Sequence, residues 1–249
     1  MKIKFLGTSH GVPEADRFCS CTMIEAGGSL YFIDAGAPIT DLVIRCGKKI
    51  TDTKAIFTTH AHGDHIGGLI GFVDLANWFF KETSADIYMT ESAPISAINA
   101  YIEAVGHVLD TNRLRFNVID ENFVYQDENL KVTAFPTEHL NRDSKRRPSY
   151  GYVVEADGKR IVFSGDLSIH LKHGDFPKAV LEEEADLFIC EMAHFNIKDV
   201  TQYLERCKAK KIFFNHIGYM ETFEAIEALN GKYKFPVKIV RDGDEISFD

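Results

Sequence analysis

Long apolar runs, a basic surplus and a dense cysteine set are all missing from this 249-residue chain, and each absence removes a class of protein. No apolar stretch approaches the ~20 residues that span a bilayer, so a membrane partner is not expected. The opening Met1–Gly7 offers only Ile3, Phe5 and Leu6 before a Gly-Thr-Ser turn, too little for the apolar core of a secretion signal. Cys19, Cys21, Cys46, Cys190 and Cys207 form an odd and sparse set, which suits a reducing compartment better than a disulfide framework. The expected location is therefore a cytoplasm of bacterial type. Basic residues number 28 against 37 acidic ones, a formal charge of −9, so an extended nucleic-acid surface is not expected either. A local basic patch can still hold one phosphate.

Short β-type runs alternate with amphipathic helical stretches from end to end. Strands are expected at Ile3–Gly7, Thr22–Ala26, Leu30–Asp34, Ala55–Thr58, Asp86–Thr90, Arg115–Ile119 and Lys131–Pro136. Further strands are expected at Gly151–Ala156, Arg160–Ser164, Asp186–Glu191, Lys211–Asn215, Lys238–Arg241 and Glu245–Phe248. Gly27-Gly28 and Asp157-Gly158 each sit between two such runs, as hairpin turns do. Helices are expected at Ile39–Cys46, Gly67–Phe80, Ala93–Val105, Pro177–Glu184, Lys198–Lys208 and Thr222–Leu229, with Asn196 or Asp199 capping the fifth. Without a low-complexity linker or a repeat, one α/β domain over 1–249 is the expectation, its sheets face to face and its helices outside.

The strongest chemical signal is Thr59-His60-Ala61-His62-Gly63-Asp64-His65. It follows an apolar strand and precedes a helix, which puts three imidazoles and a carboxylate on one loop. Four such donors within six residues are too crowded for one metal ion and suit two. His139, Asp166 and His216 each follow an apolar strand, where sheet-based enzymes assemble their sites. Imidazole and carboxylate without thiolate fit Zn²⁺, Mn²⁺ or Fe.

These motifs, in this order over nearly the whole chain, resemble the metallo-β-lactamase-fold hydrolase superfamily. The resemblance implies a four-layer αββα sandwich with two divalent metal ions, zinc first among the candidates. It implies that His60, His62 and His139 bind one ion, that Asp64, His65 and His216 bind the other, and that Asp166 bridges them. Asp34 in Phe32-Ile33-Asp34-Ala35-Gly36 would orient the histidine loop. The implied reaction is hydrolysis, with a metal-bridging hydroxide as nucleophile.

The opening Leu6-Gly7-Thr8-Ser9-His10-Gly11-Val12-Pro13 is similar to that of ribonuclease Z-like phosphodiesterases. Its backbone N–H groups suit a phosphate, and its bland reading is a tight turn. A long arm that grips tRNA is absent between His139 and Gly151; Leu140–Tyr150 stands there, with Arg142, Lys145, Arg146 and Arg147. Lys145, Arg146, Arg147 and His10 are the candidate phosphate contacts. His194 is the candidate general acid, with Glu191 as its orienter and capping of the next helix as the alternative; Asp64 also qualifies as a proton shuttle. Cys19-x-Cys21 resembles part of a structural zinc site but lacks its further cysteine, and Cys46, Cys190 and Cys207 read as buried thiols.

The expectation is a phosphodiesterase for a small phosphodiester or cyclic nucleotide. Hydrolysis of a carboxylic ester, lactone or thioester is the alternative, with tRNA 3′-processing and a non-enzymatic binding or sensor module behind it. A homodimer is left open.

Overall fold

The computed structural model describes residues 1–142 and 145–248, apart from the side chains of Arg142, Lys145, Arg146 and His173. Residues 1–119 with 242–249 form one unit, and residues 120–241 form a second.

In the first unit β1 (Lys2–Gly7), β2 (Cys21–Ala26) and β3 (Ser29–Ile33) run antiparallel, with the last strand of the chain, Glu245–Ser247, along the edge of β1. Gly27 and Gly28, at φ +57° and +81°, make the expected two-residue turn. β4 (Thr53–Phe57), β5 (Ala85–Met89) and β6 (Leu114–Val118) then continue in parallel from β3. Parallel neighbours require crossovers. These are α1 (Ile39–Arg45) before β4, α2 (Gly63–Ile66) and α3 (Leu69–Trp78) before β5, and α4 (Ser92–Ala104) before β6. On α3, Leu69, Phe72, Val73 and Ala76 recur at helical spacing and are buried; they meet Phe32, Ile56 and Ile87 of the sheet in one core. Burying each large side chain of that stripe contributes about 1.5–3 kcal/mol.

In the second unit β7 (Val124–Gln126), β8 (Lys131–Pro136), the short antiparallel pair β9 (Asn141–Arg142) and β10 (Lys145–Arg146), β11 (Tyr150–Ala156) and β12 (Lys159–Phe163) come first. β13 (Leu187–Met192), β14 (Ile212–Ile217) and β15 (Val237–Ile239) follow in parallel with β12, linked by α5 (Lys178–Leu181), α6 (Ile197–Leu204) and α7 (Phe223–Glu227). The sheet order is β15-β14-β13-β12-β11-β8-β7. All six residues of β13 are buried, as a central parallel strand requires. Asn196 caps α6 in a reciprocal capping box with Asp199.

Most elements fall within two residues of expectation. The helix expected at Gly67–Phe80 is α3 (Leu69–Trp78), and a separate short helix, α2, precedes it at Gly63–Ile66, where a loop was expected. β7 was not anticipated, because this edge strand has no buried residue and so no alternation to read. Cys46 is half-buried rather than buried. Among the described residues no helix is long and apolar enough to cross a membrane.

Candidate metal centre

Within the first unit, β4 ends at Phe57 and His62 is the N-cap of α2. Asp64 and His65 therefore stand on the first turn of a helix rather than on the loop expected. Asp34 follows β3 with φ +62°, a left-handed conformation that a short polar side chain tolerates. Its carboxylate accepts from the Thr59 amide at 2.7 Å and the Thr59 hydroxyl at 3.0 Å, and takes His65 Nδ1 at 2.7 Å. An imidazole nitrogen that close to a carboxylate carries the proton, so the lone pair of His65 resides on Nε2. Asp64 Oδ2 lies 3.2 Å from that Nε2, and His60 Nε2 lies 2.9 Å from His62 Nδ1. Glycine is required at Gly36: a Cβ there would collide with the Asp64 carbonyl and with Cys19. The Asp34 loop and the histidine helix thus pack backbone to backbone.

The opening loop also meets this group. The Gly11 amide donates to Asp64 Oδ2 at 2.9 Å. Thr8 and the Phe18 amide bind Asp242, and Arg17 pairs with Glu14, which closes the loop. His10 Nδ1 is 3.6 Å from Glu14.

Within the second unit, His139 follows β8, Asp166 follows β12, Glu191 lies in β13 and His216 in β14. The pairing of β13 with β14 jumps from Glu191↔Asn215 to Met192↔Ile217, so His216 is the extra residue of a bulge, with φ +51°. Bulges re-aim a side chain next to a site. Asp166 Oδ2 is 3.4 Å from His216 Nε2, 3.7 Å from His139 Nε2 and 4.0 Å from His194 Nδ1. His139 Nδ1 is turned to the Leu167 carbonyl at 3.2 Å, which leaves its lone pair on Nε2. The donor atoms of His139, Asp166 and His194 all lie within 4.8 Å of one another. Gly165, at φ +61°, admits no side chain because a Cβ would meet the Tyr150 carbonyl.

His194 Nδ1 is 2.8 Å from Glu191 Oε1, and Glu191 also accepts the Leu167, Ala193 and His194 amides. Asn196, and not His194, caps α6. Of the basic candidates, Arg147 is exposed, while the side chains of Lys145 and Arg146 lie outside the described residues. His107 pairs with Asp74 and His170 with Asp199. Burial pushes the Cys19 and Cys21 thiols up, so neither is a ready thiolate, and among the described residues no cysteine joins a group of metal-ligating side chains.

These donors suit divalent metal. Two ligands on one tetrahedral cation with bonds near 2.0–2.1 Å stand about 3.3 Å apart. The pairs within each unit bracket that value, from 2.9 Å for His60–His62 to 3.7 Å for His139–Asp166. Three roles were not read from the sequence: the Thr59 amide and hydroxyl donate to Asp34, the Gly11 amide donates to Asp64, and the Asp175 carboxylate accepts the Ser168 and Glu138 amides.

The metallo-β-lactamase fold protein YhfI from Bacillus subtilis superposes with a TM-score of 0.77 over 99% of both chains, at 17% identity. The short form of human tRNase Z superposes with a TM-score of 0.75 over 100% of both chains, at 22% identity. The fold is thus the α/β metallo-β-lactamase fold, in the αββα class expected from the motifs. A ribonuclease Z of Synechococcus sp. (strain CC9311) is 29% identical over 165 residues, covering 62% of this chain and 49% of that relative. The chain spans about half the length of the curated relatives it matches. The fold defines the class, the metallo-β-lactamase fold, and the chain is similar in sequence to ribonuclease Z over 62% of its length. The family model described as Anti-Pycsar protein Apyc1 matches residues 1–239, and the chain belongs to that family.

Proposed function

We propose that residues 1–249 form one hydrolase domain, a metal-dependent phosphodiesterase for a small phosphodiester or cyclic nucleotide. The observation that carries the reading is Asp166, whose Oδ2 has three imidazole nitrogens within 4.0 Å. A carboxylate so placed suits a ligand shared between two ions. His60, His62 and His139 would hold one ion, and Asp64, His65 and His216 would hold the other. This assignment rests on the donor order along the chain and on what each unit presents by itself. Bound divalent ions supply Lewis acidity and lower the pKa of water.

The chain's own groups supply the rest. Asp34 and the Leu167 carbonyl fix the tautomers of His65 and His139. Glu191 holds Nδ1 of His194 and stabilises its imidazolium, which presents Nε2–H to the departing oxygen. Phosphorus chemistry is supported by the ribonuclease Z and tRNase Z names of the relatives and by the similar Gly-Thr-Ser loop. A small substrate is supported by the charge of −9 and by the short segment between His139 and Gly151.

Zinc is the first expectation for the metal, with Mn²⁺ and Fe suited to the same donors. A turnover screen of the metal-loaded protein tests the reading. Hydrolysis of bis(p-nitrophenyl) phosphate and of cyclic nucleotides is expected, above that of lactones, glutathione thioesters and precursor tRNA. Preference for a lactone or thioester would transfer the site to carboxyl chemistry. Preference for precursor tRNA would make it a processing nuclease, and no ester hydrolysis at all would leave a binding module.

A further inference from the structure

Two successive amides follow Asp166, and each is taken by a different carboxylate. Leu167 N–H donates to Glu191 Oε1 at 2.7 Å, and Ser168 N–H donates to Asp175 Oδ2 at 2.7 Å. Each carboxylate also reaches a second segment. Glu191 takes Nδ1 of His194. Asp175 Oδ2 takes the amide of Glu138 at 3.0 Å, directly before His139. One oxygen of Asp175 therefore joins the turn after Asp166 to the turn that presents His139.

The loop between Asp166 and Asp175 needs such fastening. His170 and Leu171 have φ +57° and +50°, a left-handed conformation that strains a non-glycine backbone. Leu171 is buried in the core of this unit, and the His170 amide donates to the His194 carbonyl at 2.9 Å. A strained loop tied at both ends presents its first residue in one position. Untied, it relaxes and carries Asp166 with it.

We propose that Asp175 is a positioning residue for the metal centre, holding Asp166 and His139 in register through the Ser168 and Glu138 amides. The proposal rests on the reading of His139 and Asp166 as metal ligands. What the position needs is an acceptor oxygen, because both bonds come from backbone amides and end on the single atom Oδ2.

The test is zinc affinity of the purified protein, measured by competition with a chromophoric chelator. Asp175→Ala is expected to weaken zinc binding about 10–100-fold, the usual effect of losing a group that orients a ligand. Asp175→Asn keeps an oxygen in place and is expected to restore binding to within about threefold. Ser168 has φ −69°, which proline matches, so Ser168→Pro deletes one donor without a change of φ. It is expected to weaken zinc relative to Ser168→Ala, which keeps the amide, and this pair serves if Asp175→Ala does not fold. Wild-type affinity in Asp175→Ala, equal losses in Asp175→Asn and Asp175→Ala, or equal affinity of the two Ser168 variants would overturn the proposal. Asp166→Ala separates the two readings: unchanged zinc there removes the metal-ligand assignment itself, whereas loss there with no effect at Asp175 removes only the positioning role.

Discussion

At the residue scale, imidazoles of the candidate centre turn Nδ1 to a carboxylate or carbonyl oxygen: His65 to Asp34, His139 to the Leu167 carbonyl and His194 to Glu191. A fixed tautomer and a fixed ring are what a ligand needs, and a general acid needs them as well. The two roles separate by leaving group. In bis(p-nitrophenyl) phosphate the nitrophenolate departs without a proton, whereas a cyclic nucleotide releases an alkoxide that requires one. His194→Gln is therefore expected to lower cyclic-nucleotide turnover about 10²–10⁴-fold and nitrophenyl ester turnover less than about tenfold. Equal losses on both substrates, accompanied by lost metal, would make His194 a ligand instead.

At the element scale, donors were legible in the sequence where they cluster or end an apolar strand. His60, His62, Asp64 and His65 lie within six residues, and His139 and Asp166 stand just beyond β8 and β12. The bulge that carries His216 was not legible, since it exists only in the pairing of β14 with β13. Asp175 was not legible for a similar reason: its partners are backbone amides 37 and 7 residues away, which every residue but proline offers. Asp175 also gives the loop a pH signature. Its value rises from 3.8 to about 6 in the fold, so its favourable contribution is full below about pH 4 and is lost as pH rises through about 6. Metal-stripped Asp175→Asn lacks that loss. Its thermal midpoint relative to wild type is expected to climb between about pH 4 and about pH 7 and then level off. A difference that stays flat or falls over that interval would contradict the assigned direction.

At the scale of the whole molecule, the histidines reconcile the acidic balance of −9 with the proposed phosphate chemistry. In the proposed function five of the ten, with Asp64 and Asp166, would ligate metal, and two divalent ions would bring +4. The acidity that argues against a broad nucleic-acid footprint is thus compatible with the proposed small phosphodiester substrate. The most direct measurement is a zinc titration of the metal-stripped protein while hydrolysis of bis(p-nitrophenyl) phosphate is followed. Activity that rises to a plateau at about two ions per chain is expected. A plateau at one ion per chain, or hydrolysis by the stripped protein at the same rate, would contradict a dinuclear phosphodiesterase.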